Sequence, residues 1–293
     1  MYRQEKSKIQ AIAFAGCSFT WGQGLWYYSA LDSCAINMHY GYDPSCLNIV
    51  HHLFREKWRW CNLVADHFNT VALTHPENGG ANDQILEFWK KSFVAHNKAT
   101  SVKAFDNDRF ADKTRPINLK DVGHFVFQLT QWWRSSIVIE GQDGMPLHVP
   151  VQKCWQNFDE SFELFNTWFS KNHDRYKNNV GTFHNEIMYR DLIAIKNFLT
   201  YLESNGIKTY VVSWPKEFVT RLKADSWFTE RLITFNHNQK QYDCMEDLLS
   251  TEKLTIEQDT DFFEDPPKDQ HPSLAAQKII ANNVIAAIEK RNG

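Results

Sequence analysis

Residues 11–25, AIAFAGCSFTWGQGL, constrain the fold most. A short apolar run closed by turn formers reads as a strand buried on both faces. The run breaks at Gly16-Cys17-Ser18, and Gly22 and Gly24 follow within one helical turn or two. A strand that ends in a turn of small residues presents one side chain at the carboxyl edge of a sheet, where open α/β folds bind ligands. Ser18 is the side chain presented there. The plainer reading is that Ser18 only makes the turn, a common place for serine.

The same form recurs down the chain. Glu56 to Phe68 has the apolar spacing of an amphipathic helix, and Asn69 to Thr74 reads as a second strand. The loop His75 to Asp83 is rich in turn formers and opens a helix from Gln84 to Lys91, with Asn82 or Asp83 as N-cap. His124 to Thr130 is a third strand. Phe183 to Ser204 is a long amphipathic helix stopped by Asn205-Gly206, and Ile207 to Trp214 is a fourth strand. Glu217 to Thr251 reads as helical and mixed, and a last helix runs from Leu274 to Lys290 behind the acidic loop Asp259 to Gln270. Ala99 to Asp121 reads as a helix end and loop. Strands alternating with helices predict an α/β fold, a three-layer α/β/α sandwich with a mostly parallel sheet. The expected organisation is a single domain over 1–293. It carries an aromatic excursion at about 26–57 and an insertion or cap at about 135–190. That insertion includes a hairpin of Ile137–Glu140 with Leu147–Val151 and helical spacing at Phe158–Asn172.

Composition excludes some classes. The 32 basic and 35 acidic residues leave a net charge of -3, so no basic field points to nucleic acid. No apolar run approaches the ~20 residues of a membrane span. The first ten residues are polar and do not read as a signal peptide. The expected location is therefore cytoplasmic. Cys17, Cys34, Cys46, Cys61, Cys154 and Cys244 show no metal-ligand spacing and read as free thiols. The His51-His52 pair reads as surface rather than metal-binding. The 11 Trp and 21 Phe predict an aromatic core, with exposed members able to stack on sugars or partners.

Three loops fall at strand ends: Gly16-Cys17-Ser18, Asn78 to Asp83, and Lys268 to Ser273. Together they supply a hydroxyl, an imidazole, a carboxylate and amide donors, the inventory of acyl transfer by a nucleophilic serine. On these residues the chain resembles the SGNH, or GDSL-type, hydrolases, and in particular a divergent branch whose first block reads GCSFTxGxGL. Proteins of that branch look similar to many from viral and environmental genomes, which implies a virion-associated location as the alternative to a cytoplasmic one. The match covers about a third of the chain: Gly16-Cys17-Ser18 as first block, Gly80-Ala81-Asn82-Asp83 as a G-x-N-D, and Asp269-Gln270-His271-Pro272-Ser273 as last block.

The resemblance implies Ser18 as nucleophile, His271 as general base and Asp269 as the acid that orients it. It implies an oxyanion hole from the N–H groups of Ser18 and Gly80 and the amide of Asn82. It implies no metal and no organic cofactor. Three departures leave alternatives open. Cys17 stands where the family has Asp, and as a thiol it is a second candidate nucleophile. Asp269 lies two residues before His271 because Lys268 holds the usual position, which leaves Asp265 as another acid. If Gly80 belongs to the earlier glycine block, Gln128, Thr130 or Arg134 must serve in the oxyanion hole. The expected function is hydrolysis of a small acyl ester, with an O-acetyl group on a carbohydrate as one class. Acyl transfer on the same triad is the first alternative. A non-catalytic module whose aromatic stretch binds a protein assembly partner is the second.

Overall fold

The computed structural model describes residues 11–29, 49–74, 80–94, 101–103, 114–116, 119–140, 146–150 and 180–292. In chain order its elements begin with β1 (Ala11–Ala15), α1 (Ser18–Trp21), α2 (Ile49–Trp58), α3 (Trp60–His67) and β2 (Ala72–Thr74). There follow α4 (Asn82–Val94), β3 (Ser101–Lys103), β4 (Thr114–Pro116), β5 (Val122–Leu129), β6 (Ser136–Glu140) and β7 (Pro146–Pro150). The second half holds α5 (Val180–Ser204), β8 (Lys208–Ser213), α6 (Val219–Ala224), α7 (Ser226–Thr229), β9 (Phe235–His237), β10 (Lys240–Tyr242), α8 (Met245–Thr251) and α9 (Leu274–Asn292).

Four strands form one all-parallel sheet in the order β2-β1-β5-β8. A parallel bridge from Val211 to Leu232, with backbone bonds from Val211 N–H to Arg231 and from Ile233 N–H to Val211, continues the sheet past β8. β1 is central and covered on both faces, so its side chains divide by parity. Ala11, Ala13 and Ala15 face a core built with Ile85, Trp89 and Phe93 of α4 and Ile195, Phe198 and Leu202 of α5. Ile12 and Phe14 face the other core, with Trp60 and Val64 of α3 and Ile280, Val284 and Ile288 of α9. The alanines leave room for the rings of Trp89, Phe93 and Phe125, which meet at 5.2–5.9 Å. The result is an α/β/α sandwich.

The strand order reverses direction between β1 and β5. Chain leaving β1 runs to one side and chain leaving β5 to the other, which opens a crevice at their carboxyl ends. Ser18 follows β1 and Thr130 follows β5 at that place.

Several details differ from the sequence reading. The single helix expected over Glu56–Phe68 is two, broken at Arg59, whose backbone is extended (φ −65°, ψ 141°). Ala99–Asp121, expected as helix end and loop, contains an antiparallel pair, Ser101–Lys103 with Thr114–Pro116. Glu217–Thr251 is not only helical: β9 and β10 form a hairpin across Asn238 and Gln239, both at positive φ (47° and 62°). That is the backbone of a type I′ turn, which fits the right-handed strand twist but rarely carries glutamine. The expected hairpin at Ile137 is present, as Ser136–Glu140 against Pro146–Pro150. The helical spacing at Phe158–Asn172 lies outside the described residues, as do most of the aromatic excursion and the side chains of His51 and His52. The described start of that excursion is not an exposed platform. Trp26, Tyr27 and Tyr28 are buried and pack with Leu25 and Ile256. Among the described residues, no helix is long and apolar enough to cross a membrane.

Candidate active site

Ser18 is the first residue of α1, a single helical turn laid directly on the end of β1. Two glycines permit this geometry. Gly22 closes the turn in the left-handed conformation (φ +81°) and its N–H returns to the Ser18 carbonyl at 2.9 Å. Gly16 has no room for a side chain: a Cβ there would stand 2.1 Å from Thr20 Oγ1 and 2.8 Å from Gln128 Oε1. The turn is therefore pressed against β5.

The second part comes from the loop before α9. His271 and Asp269 are moored by antiparallel pairing with 254–257. Ile256 N–H donates to the His271 carbonyl at 2.9 Å, Glu257 N–H to the Asp269 carbonyl at 2.9 Å, and Ser273 N–H to the Leu254 carbonyl at 2.8 Å. Pro272 caps this pairing through a bridge to Thr255. Ser273 Oγ accepts from Ala276 N–H at 3.3 Å and so caps α9.

The two parts meet. Ser18 Oγ lies 2.8 Å from His271 Nε2, and His271 Nδ1 lies 2.5 Å from Asp269 Oδ1. The same carboxylate oxygen accepts the His271 backbone N–H at 2.9 Å, so the Asp-x-His spacing closes on itself. A carboxylate can only accept, so Nδ1 carries the ring proton and Nε2 is left to accept from the serine hydroxyl. The set is sheltered: Ser18 is 2% exposed, and the side chains of His271 and Asp269 are 17% and 10% exposed. Phe19 lies 4.8 Å from the imidazole and stacks on Trp214 at 3.7 Å, forming an aromatic wall beside the histidine.

Behind the carboxylate stands Gly24, at φ +85°. A Cβ on it would lie 2.9 Å from Asp269 Oδ2. Tyr27 also faces this carboxylate. Burial first, and the Asp269 charge second, push its phenol up from the ordinary value.

The alternatives left by the sequence separate clearly. Cys17 is buried and its sulfur accepts from Gln128 Nε2 at 3.1 Å, so the histidine is on the serine and not on the thiol. Asp265 is exposed, whereas Asp269 holds the imidazole. Asn82, expected as an oxyanion donor, is fully buried and uses its amide on the backbone of one residue. Its Oδ1 accepts Thr130 N–H at 2.8 Å and its Nδ2 donates to Thr130 O at 3.0 Å, with Asp191 Oδ2 at 3.5 Å. It locks the start of α4 to the chain leaving β5. Asp191 is itself buried, which pushes its carboxyl up, and it accepts from Ser135 Oγ at 2.5 Å. Gly80 is buried against Ile85 two residues before Asn82, where this clamp begins. Residues 75–79, the first part of that loop, lie outside the described residues.

From sequence, Gln128, Thr130 and Arg134 are candidates only for the oxyanion hole. Gln128 instead bonds to the turn that carries Ser18, and Thr130 supplies its backbone N–H and carbonyl to Asn82. The signal for Gln128 was one amide in an otherwise apolar strand, FVFQL, whose direction depends on register with β1. Cys17, Cys61 and Cys244 are free and buried; the other three cysteines lie outside the described residues. Among the described residues, no cluster of His, Cys, Asp or Glu is arranged to hold a metal ion. A cavity of about 380 Å³ opens between α5 and the α6–α7 corner, and Ser18, His271 and Asp269 do not line it.

Comparison with known proteins gives no name to this arrangement: no family model, no curated protein and no solved structure matches the chain.

Proposed function

We propose that the chain is a serine hydrolase of the SGNH type that acts on a small acyl ester. One observation carries the reading: the continuous hydrogen-bonded line from Ser18 Oγ through His271 to Asp269. Ser18 Oγ attacks the ester carbonyl carbon while His271 Nε2 takes its proton. The carbonyl π pair moves to the oxygen, then returns as the bond to the alkoxide leaving group breaks, and His271 delivers the proton to that group. Water repeats the sequence on the acyl-serine. Asp269 holds Nδ1–H and stabilises the transient imidazolium. The Ser18 N–H belongs to the first turn of α1, whose leading N–H groups have no intrahelical partner, and is proposed as one oxyanion donor. The Gly80 N–H is proposed as the other. With its amide on Thr130, Asn82 is given a positioning role instead. No step calls for a cofactor.

The aromatics of the excursion that are described pack inward. A carbohydrate O-acetyl ester is therefore supported by the family resemblance alone, and it is the first natural class to test. The experiment is turnover of short-chain aryl and sugar acetates by wild type and Ser18→Ala, with and without a polyol acceptor. Acyl release that vanishes in Ser18→Ala supports the proposal. Acyl-polyol in place of free acid assigns the transferase form. Turnover equal to the Ser18→Ala background defeats it.

A further inference from the structure

Gln128 lies on β5 in the middle of the sheet and is fully buried. Its two ends bond to the two sides of the nucleophile. Oε1 accepts from Thr20 Oγ1 at 2.5 Å, and Nε2 donates to Cys17 Sγ at 3.1 Å, with the Leu129 carbonyl a further 3.5 Å contact. Cys17 immediately precedes Ser18, and Thr20 follows it by two.

This amide does nothing for the sheet ladder, which its backbone already serves by pairing with Val212. A leucine would fill the core without the desolvation cost of a buried primary amide. The turn, by contrast, needs help. α1 is four residues long, and its N-cap Cys17 makes no side-chain capping bond. A single helical turn is not stable by itself, because nucleation fixes more dihedrals than its bonds repay. The missing Cβ at Gly16 allows the turn to press within reach of β5.

We infer that Gln128 is a positioning residue that sets the nucleophile turn and, through Cys17 and Thr20, the aim of Ser18 Oγ at His271 Nε2. This rests on the serine-hydrolase reading above. Gln128 touches none of the reacting atoms. Its special competence is to accept on one side and donate on the other. A protonated carboxyl can do both, and an ionised one can only accept.

The test is the rate of fluorophosphonate labelling at Ser18 against pH, with thermal unfolding alongside, for wild type, Gln128→Leu, Gln128→Glu, Thr20→Val and Thr20→Ser. Gln128→Leu and Thr20→Val are expected to label about 10²-fold more slowly, the scale of a misaimed reacting group. Thr20→Ser, which keeps the hydroxyl, recovers most of the wild-type rate. Gln128→Glu gains a falling limb as pH rises, because ionisation removes the donor to Cys17 and a desolvated carboxyl ionises late. A folded Gln128→Leu labelled at the wild-type rate overturns the inference alone, as does a Gln128→Glu profile identical to wild type. If Gln128→Leu does not fold, Thr20→Val and Gln128→Glu decide by the same criteria. Wild type that is folded and unlabelled overturns both this inference and the hydrolase reading.

Discussion

Gly24→Ala probes the support behind the Asp269 carboxylate that holds His271. Gly24 sits at φ +85°, where an L side chain costs about 1–2 kcal/mol. The new methyl would stand 2.3 Å from Ile256 Cδ1 and 2.9 Å from Asp269 Oδ2. The isoleucine tip can swing aside. The carboxylate cannot do so freely, because its Oδ1 is held by the ring and the backbone N–H of His271. It must withdraw by roughly half an ångström to reach ordinary contact distance. That displacement falls on the 2.5 Å bond that orients the imidazole. A misplacement near 1 Å costs on the order of 10²-fold, so labelling of Ser18 should slow by roughly 10- to 100-fold. Stability should fall by about 1–3 kcal/mol. Fluorophosphonate labelling rates and denaturant midpoints read the two effects separately. In Gly24→Ala/Ile256→Val the Cδ1 obstacle is gone, so stability should partly return while labelling stays slow. Gly24→Ala labelled at the wild-type rate would refute the reasoning. Full recovery of rate in the double variant would show that the damage travels through Ile256 and not through Asp269.

Asp269→Asn keeps the shape and removes the charge. Depending on whether oxygen or nitrogen faces Nδ1, ester turnover should drop between about 10² and 10⁴-fold, and an unchanged rate would remove Asp269 from the mechanism. A second expectation concerns acid stability. Burial first, then the charges of Lys208 and Arg291, push His124 down from 6.5 to about 4. The folded value lies below the unfolded one, so this contribution is whole above the ordinary histidine range and is lost as pH falls toward the folded value. Between pH 7 and pH 5 the loss is about 2 kcal/mol. His124→Gln should flatten that part of the unfolding free-energy curve, and an unchanged slope would show that His124 is not its source.

The sheet was legible because buried parallel strands are short apolar runs between turn formers, as in AIAFA and KTYVVS. The break at Arg59 was not, because the apolar spacing runs on unbroken from Trp58 into α3 while the backbone turns. Nor was the β9–β10 hairpin, whose turn places Gln239 where glycine is the usual signal. Within the site, Ser18 and His271 could be read from turn chemistry and loop order. What Asn82 and Gln128 bond to could not, because each partner is set by strand register: Asn82 finds the Thr130 peptide, and Gln128 finds Cys17 and Thr20. A buried amide in sequence declares that it needs partners, without saying which.

The most direct measurement is reaction of the intact chain with a fluorophosphonate, read by intact mass and peptide mapping, on wild type, Ser18→Ala and His271→Ala. The geometry predicts one adduct on Ser18, absent from Ser18→Ala and strongly slowed in His271→Ala. A folded wild-type protein that takes no adduct, or takes it on Cys17, would contradict the assignment of Ser18 as an activated nucleophile.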